Sequence, residues 1–367
     1  MVNFPACSLL TVWSSWCLRI FSRTQLIGLN SDFFRFLDLK TPLTIFVAVF
    51  IMSEPLISIC IPAYKKPQYV VRCLESILKQ DHTSVEVIIS DDSPDEDIKQ
   101  VIQPFRDRLR ISYFHNHPAL GSPKNWNAAL DKGKGDYLLL LHQDDWLHAD
   151  DALSSLLKGS VDHNADFVFC QNTAIDEDGN KLILQARPRL LHTMSKHPDH
   201  LLLAQVIGPP SNTLLRRTVT TRYDERFIWL VDVDYYSRML KERYRYHYID
   251  RHLVSIGLHE DQTTVFCRLH ADIIFKENIW FAGKIGAPAF RDILIYDYYW
   301  RLLRNYNIRS IENIEANKLK ADEIPPVIIQ MLNFQKKFTL PLLKKGAVSK
   351  SLMSLAYLNW RLNPSGR

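Results

Sequence analysis

The residues best suited to chemistry in this 367-residue chain are carboxylates at the ends of apolar runs. Asp91-Asp92-Ser93 follows Val85–Ser90, and Gln143-Asp144-Asp145 follows Tyr137–Leu141. Pro62-Ala63-Tyr64 stands in the same place after Leu56–Ile61. Carboxylates gathered around one crevice repel each other unless a cation or the donors of a ligand offset their charge. A hard cation such as Mg²⁺ or Mn²⁺ fits, because it takes one or two carboxylates together with phosphate oxygens. Neither a G-x-x-x-x-G-K-[ST] nor a G-x-G-x-x-G loop follows the first run, so phosphates would be held mainly through metal and side chains. Plainer readings stand beside these. Asp91 to Pro94 could be a turn fastened by its own side chains, and Asp144-Asp145 could cap a helix.

The elements that must carry these clusters alternate. Strands are expected at Leu56–Ile61, Val85–Ser90, Arg110–His115, Tyr137–Leu141 and Asp166–Cys170. Helices are expected at Gln68–Lys79, Asp97–Phe105, Ser122–Lys132 (opened by a Ser122 cap and Pro123), Asp150–Lys158 and Asp234–Arg243. From Asp272 onward the pattern is helical, with segments at Asp292–Tyr306 and Pro326–Phe338. Strand–helix alternation with continuous apolar strands predicts an α/β fold on a mostly parallel sheet. Ligands of such sheets bind beyond the carboxyl ends of the strands, which is where the three clusters fall.

Composition narrows the class. Hydrophobic residues at 47% and charged residues at 23% exclude a disordered or collagen-like chain. The formal charge is +5, but it sits at the ends. Ile324 to Arg367 holds seven basic residues and no acidic one, whereas the segment from Met52 to Glu323 is mildly acidic. That argues against nucleic acid as a partner of the folded part, which would want a basic, aromatic face. The six cysteines are scattered without a C-x-x-C pair, so thiols in a reducing cytosol are expected rather than zinc or disulfides. The longest apolar run, Ile45–Met52, is short of the roughly 20 residues that span a bilayer. Residues 1–51 lack periodicity, and Met52-Ser-Glu-Pro reads as the start of a folded domain. The extension is then either a mis-called start or a membrane-touching segment.

Several runs, in order, carry a resemblance. Ile57 to Tyr64 (ISICIPAY), Leu74 to Gln80 (LESILKQ) and Val87 to Ser93 (VIISDDS) resemble the opening of family 2 glycosyltransferases. Gly121…Asn125…Asn127, Gly135 to Asp145 (GDYLLLLHQDD), Tyr223 to Arg238 and Gly257 to Thr264 (GLHEDQTT) are similar to later family segments. The resemblance covers about residues 55–264. It implies a GT-A (Rossmann-like) fold over 52–265, followed by a helical, basic C-terminal region over 266–367 that is acceptor- or membrane-associated. It implies an inverting, metal-dependent transfer of one sugar from a nucleoside-diphosphate sugar to a glycan or lipid-linked acceptor, as in cell-surface polysaccharide biosynthesis. Pro62, Ala63 and Tyr64 would line the nucleobase and Asp92 would accept from its ring N–H. Asp144 would lie near ribose and diphosphate, Asp145 would bind Mn²⁺ or Mg²⁺, Asp232 would be the general base, and His259 would approach the diphosphate or metal.

Two departures stand out. The acidic motif begins with Gln143 where the family often has Asp, and Val231 replaces the usual Glu before the base. The Gln-x-x-Arg-Trp signature of processive synthases is absent, which implies single addition. Asp234 rivals Asp232 as the base. His259, Tyr64, Asn125 and Asn127 could be structural, and His115 and His117 read as surface residues. Two alternative functions stay open: a nucleotidyltransferase on a similar sheet, and a degenerate nucleotide-sugar-binding subunit without turnover. The tail mixes lysines with Leu, Phe, Tyr and Trp. It reads as an interfacial helix on anionic lipid at the inner face of the cell membrane, or as a solvated cap on the domain.

Overall fold

The computed structural model describes residues 54–184, 188–315 and 317–362. The expectation for residues 1–51 lies outside them. From Pro55 onward the chain forms one compact unit.

Strands β1 (Ile57–Ala63), β2 (Val85–Asp91), β3 (Ile111–His115) and β4 (Tyr137–Leu140) are mutually parallel in the order β3-β2-β1-β4. Helices α1 (Pro67–Ile77), α2 (Asp97–Val101) and α3 (Lys124–Lys132) make the crossovers. All seven residues of β1 are buried. That explains its unbroken apolar run: a central parallel strand is covered on both faces. Helix α3 starts later than its sequence predicts. Its N-cap is Pro123, and Ser122 makes no side-chain cap bond.

Beyond β4 the sheet becomes mixed. After β5 (Trp146–Leu147) and α4 (Ala152–Asp162) come β6 (Phe167–Ile175), β7 (Lys181–Leu184), α5 (Pro188–Lys196), β8 (Thr213–Arg216), α6 (Val231–Lys241) and β9 (Tyr246–Gly257). The order continues β4-β8-β6-β9-β5, with β7 on the side of β6. β8 is antiparallel to both β4 and β6, and β6 is parallel to β9 with a register shift beside Gln171.

The remaining helices are α7 (Thr263–Leu269), α8 (Ala271–Ala289), α9 (Ile293–Asn305), α10 (Ile311–Glu315), α11 (Pro326–Gln335), α12 (Leu340–Lys344) and α13 (Gly346–Leu362). Gly346 opens the last of these, and Pro341 sits in the first turn of α12, so the tail is divided into separate helices, the last of 17 residues. One apolar cluster joins Leu138, Phe167 and Phe169 of the sheet to Tyr235 and Tyr236 of α6, Phe275 of α8, Trp300 of α9 and Trp360 of α13. A second cluster covers the other face, from Ile59 and Val87 to Leu74 of α1 and Leu156 of α4. The tail helices thus share a core with the sheet. Truncating one of these buried aromatics to Ala would cost about 3–5 kcal/mol. Among the described residues no helix is long and apolar enough to cross a membrane.

Candidate active site

The β1–β2 edge is held by hydrogen bonds that leave little free. Ala63 pairs with Asp91 in the ladder, and the Asp92 N–H donates to the Ala63 carbonyl at 2.9 Å. The two aspartates then diverge. Asp91 is a fastener: its carboxylate accepts from Ser93 N at 2.8 Å and from the Tyr113 hydroxyl at 2.7 Å. Asp92 lines a cleft, and its carboxylate accepts from Leu120 N (3.0 Å), Gly121 N (2.8 Å) and Asn116 Nδ2 (2.9 Å). Gly121 has φ +76°, a left-handed turn that favours glycine. Asn125 donates to the Ser90 carbonyl at 2.9 Å, and Asn127 makes a two-way amide pair with the backbone of Tyr223. His115 bonds the Ser93 carbonyl at 2.8 Å and its ring packs on exposed His117. Tyr64 is 52% exposed at the mouth.

Beyond β4, Gln143 makes a pair of hydrogen bonds with the backbone of Tyr64, accepting from its N–H and donating to its carbonyl, each at 2.9 Å. A carboxylate there could do only the first, so the Gln is suited to locking the β1 and β4 loops together. The Asp144 carbonyl accepts from Arg72 Nη2 at 2.6 Å, while the Arg72 guanidinium lies 3.9 Å from the Trp146 ring centre. A Cβ on Gly257 would collide with that carbonyl, so only glycine lets β9 approach so closely. The Asp144 carboxylate meets His259 Nε2 at 3.0 Å. Burial pushes the Asp144 carboxyl up, but the His259 hydrogen bond and the nearby His142 bring it below its ordinary range. Asp145 is more deeply buried and accepts from Ser211 Oγ and, at 3.2 Å, from Gly257 N. Burial first, then the Asp144 charge, holds its carboxyl well above the usual range.

His142 was not singled out from the sequence, although it directly precedes Gln-Asp-Asp. Its ring packs on Trp126 with centroids 4.6 Å apart, and burial lowers its pKa, which favours neutral imidazole. One ligand atom each from His142, Asp144 and Asp145 lie within 4.8 Å of one another. The buried His142 Nε2 and His259 Nδ1 have no hydrogen-bond partner. Two carboxylates and the His142 imidazole suit a divalent cation, with His259 bonded to Asp144 at the edge of that group.

Asp232 sits in the first turn of α6. Its buried Oδ1 has no hydrogen-bond partner, and burial pushes its carboxyl up to about 7. Its rival Asp234 is buried in ion pairs with Arg238 (2.8 Å) and Lys284 and does not line the cleft. A cleft of about 950 Å³ brings together all eight residues singled out from the sequence: Pro62, Ala63, Tyr64, Asp92, Asp144, Asp145, Asp232 and His259. Trp126, His142 and Trp229 also line it and had not been anticipated. The Lys66–Asp261 ion pair at 2.6 Å closes its rim. A further group, His197, His200 and Asp292, also brings potential metal donors together but lies outside the cleft.

A sequence-family model described as Glycosyl transferase family 2 matches residues 58–224. GalNAc(5)-diNAcBac-PP-undecaprenol beta-1,3-glucosyltransferase of Campylobacter jejuni is 34% identical over 128 residues, 34% of this chain and 40% of that protein. Residues 1–349 of Staphylococcus aureus TarS, solved with UDP-GlcNAc, align with a TM-score of 0.51 at 17% identity, covering 84% of this chain and 92% of that one. The mannosyltransferase PcManGT of Pyrobaculum calidifontis, solved with GDP-Man and Mn²⁺, aligns with a TM-score of 0.50 at 15% identity, covering 85% and 88%. At these identities the solved structures establish the GT-A fold alone. The chain spans less than two thirds of the length of the curated relatives it matches first.

Proposed function

Residues 58–224 belong to glycosyl transferase family 2, and from that premise we propose that the protein moves one sugar, with inversion, from a nucleoside-diphosphate sugar to a glycan or lipid-linked acceptor. The observation that carries the reading is Asp232: a buried carboxyl with a partnerless oxygen and a pKa near 7, in one cleft with the Asp144–His259 pair. A general base works best when its pKa lies near the operating pH. Asp232 takes the proton of the attacking acceptor hydroxyl, so a single displacement needs no protein nucleophile. Pro62, Ala63, Tyr64 and Asp92 receive the nucleotide. Asp144, Asp145 and His142 hold a divalent cation, and His259 orients the Asp144 carboxylate. Asp145, the expected ligand, belongs to the same donor group and is held in place by Ser211 on one carboxylate oxygen and Gly257 on the other. The cation, when bound, supplies Lewis-acid stabilisation of the departing diphosphate.

The acceptor class and the place of work draw on two features. The Campylobacter relative is named for a lipid-linked substrate. Helix α13 exposes Leu355, Leu358 and Leu362 within the acid-free tail, which supports a peripheral seat on anionic lipid.

The test is thermal unfolding with Mn²⁺ and a panel of nucleoside diphosphates and their sugars, starting with UDP-GlcNAc and GDP-mannose. A ligand at about 100 times its Kd adds roughly 2.7 kcal/mol of stability. Asp144→Ala is expected to abolish the Mn²⁺-dependent part of that gain. Mn²⁺-independent binding that Asp144→Ala leaves intact would overturn the metal assignment.

A further inference from the structure

Glu277 lies in α8 and does not line the cleft. It is only 1% exposed, yet its carboxylate accepts three main-chain N–H bonds from one short segment. Oε1 takes Ile228 N at 2.8 Å, and Oε2 takes Trp229 N at 2.8 Å and Leu230 N at 2.9 Å. This segment runs straight into α6, whose N-cap is Leu230, a residue with no side-chain acceptor to offer. Glu277 does not replace that cap, which would take the N–H of Asp232 or Val233; it fixes the three residues that lead into the helix.

The same helix grips the segment at two more points. Trp280 meets Phe227 edge-on with centroids 6.2 Å apart, and Lys284 pairs with Asp224 (2.8 Å) and with Asp234. Residues before and after Asp232 are thus tied to α8, while Asp232 keeps an unpartnered oxygen. Ile228, Trp229 and Val231 line the cleft beside it. The Trp229 ring offers a flat apolar surface of the sort on which the C–H face of a sugar packs.

We propose that Glu277 is a positioning residue of the transfer reaction: by clamping the 228–230 backbone it holds Trp229 and Asp232 as one wall, which presents the acceptor hydroxyl to the base. The inference rests on the glycosyltransferase reading above. It assigns the acceptor side of the cleft to α8 and leaves the donor side, built on β1, β2 and β4, independent of Glu277. A residue needed merely for folding would weaken both sides together.

The experiment compares wild type with Glu277→Gln, which keeps the volume but loses one acceptor, and with Glu277→Asp, which keeps the charge on a shorter stem. UDP and GDP affinity with Mn²⁺ is measured by calorimetry. Turnover of UDP-GlcNAc and GDP-mannose is measured with p-nitrophenyl glycosides as acceptor probes, and amide exchange is followed over residues 228–236. Glu277→Gln is expected to keep nucleotide affinity and lose about 100-fold in kcat, the size of effect that a small misplacement of reacting groups produces. Amides 228–230 are expected to exchange about tenfold faster as the local clamp opens, with Glu277→Asp in between on both measures. Wild-type kcat in Glu277→Gln, or a loss of nucleotide affinity equal to the loss of kcat, overturns the proposal. Should wild type bind nucleotide but transfer nothing, the functional reading fails instead, and unchanged exchange at 228–230 in Glu277→Gln would then still refute the clamp.

Discussion

Asp92 and Asp232 are carboxylates of the same cleft, and the fold treats them in opposite ways. Asp92, at the end of a parallel strand, receives two main-chain N–H groups and an amide. Asp232, in the first turn of α6, keeps a buried oxygen that receives nothing, and burial raises its pKa to about 7. The contrast extends along both walls. On the strand side Gln143 locks Tyr64 and Ser93 Oγ accepts from Lys65 N at 2.7 Å. Among the cation-site residues that follow β4 and β9, His142 Nε2 and His259 Nδ1 are also without partners. A surface that recognises a group of fixed shape gains from being built in advance. A group that must take a proton needs an unspent lone pair and a pKa near that of its surroundings.

The sharpest way to break this contrast is Asp232→Asn. Nucleotide binding is expected to stay unchanged while transfer falls by about 10²–10⁴-fold, the usual contribution of a general base. In the wild type the rate should rise with pH through about 7 as Asp232 ionises. Stability should move the other way. An unfolded Asp loses its proton near pH ~3.9, whereas the folded carboxyl keeps it to about 7. The contribution to stability is therefore fully present below the unfolded value and is lost as pH rises through about 7. Urea unfolding across that window should show the decline in wild type and a flatter profile in the Asn variant. Equal slopes would remove Asp232 as the titrating group.

Asp92→Asn probes the satisfied wall. The amide nitrogen cannot accept, so at least one of the three donors loses its partner, at a cost of about 1–3 kcal/mol. Urea denaturation should report that loss, together with weaker nucleotide binding. An Asn variant as stable as wild type would mean that the wall is not built in advance. The smallest effect belongs to Gln143→Ala. It removes two hydrogen bonds at a partly exposed site, each worth at most about 0.5–1.5 kcal/mol. It should loosen Tyr64, visible as lower nucleotide affinity with kcat kept.

The strand wall was the legible half. β1, β2 and β4 are buried on both faces, so their sequences are unbroken apolar runs, and the polar clusters mark where they stop. β9 gave no such signal: it carries His247, Asp250, Arg251 and His252, is partly exposed, and meets a register shift in β6. Helix α6 was expected from Asp234 but begins at Val231, which moves Asp232 from a loop into the first turn. No capping side chain announces that start, since the N-cap is Leu230, and the N–H groups just before it are taken by Glu277, nearly fifty positions later in the sequence. His142 carries no signal apart from its place directly before Gln-Asp-Asp, and the donors it meets are the two aspartates of that motif.

The tail helices share an apolar cluster with the sheet, and α8 grips the chain on either side of Asp232. The consequence is for modular engineering. A chimera that joins a foreign C-terminal half to this strand half replaces the clamp as well as the cluster, so under the proposed reading acceptor preference and proton transfer would be exchanged as one inheritance. Crossovers that respect this coupling lie before Asp224 or beyond Lys284 and keep the intervening stretch from a single parent.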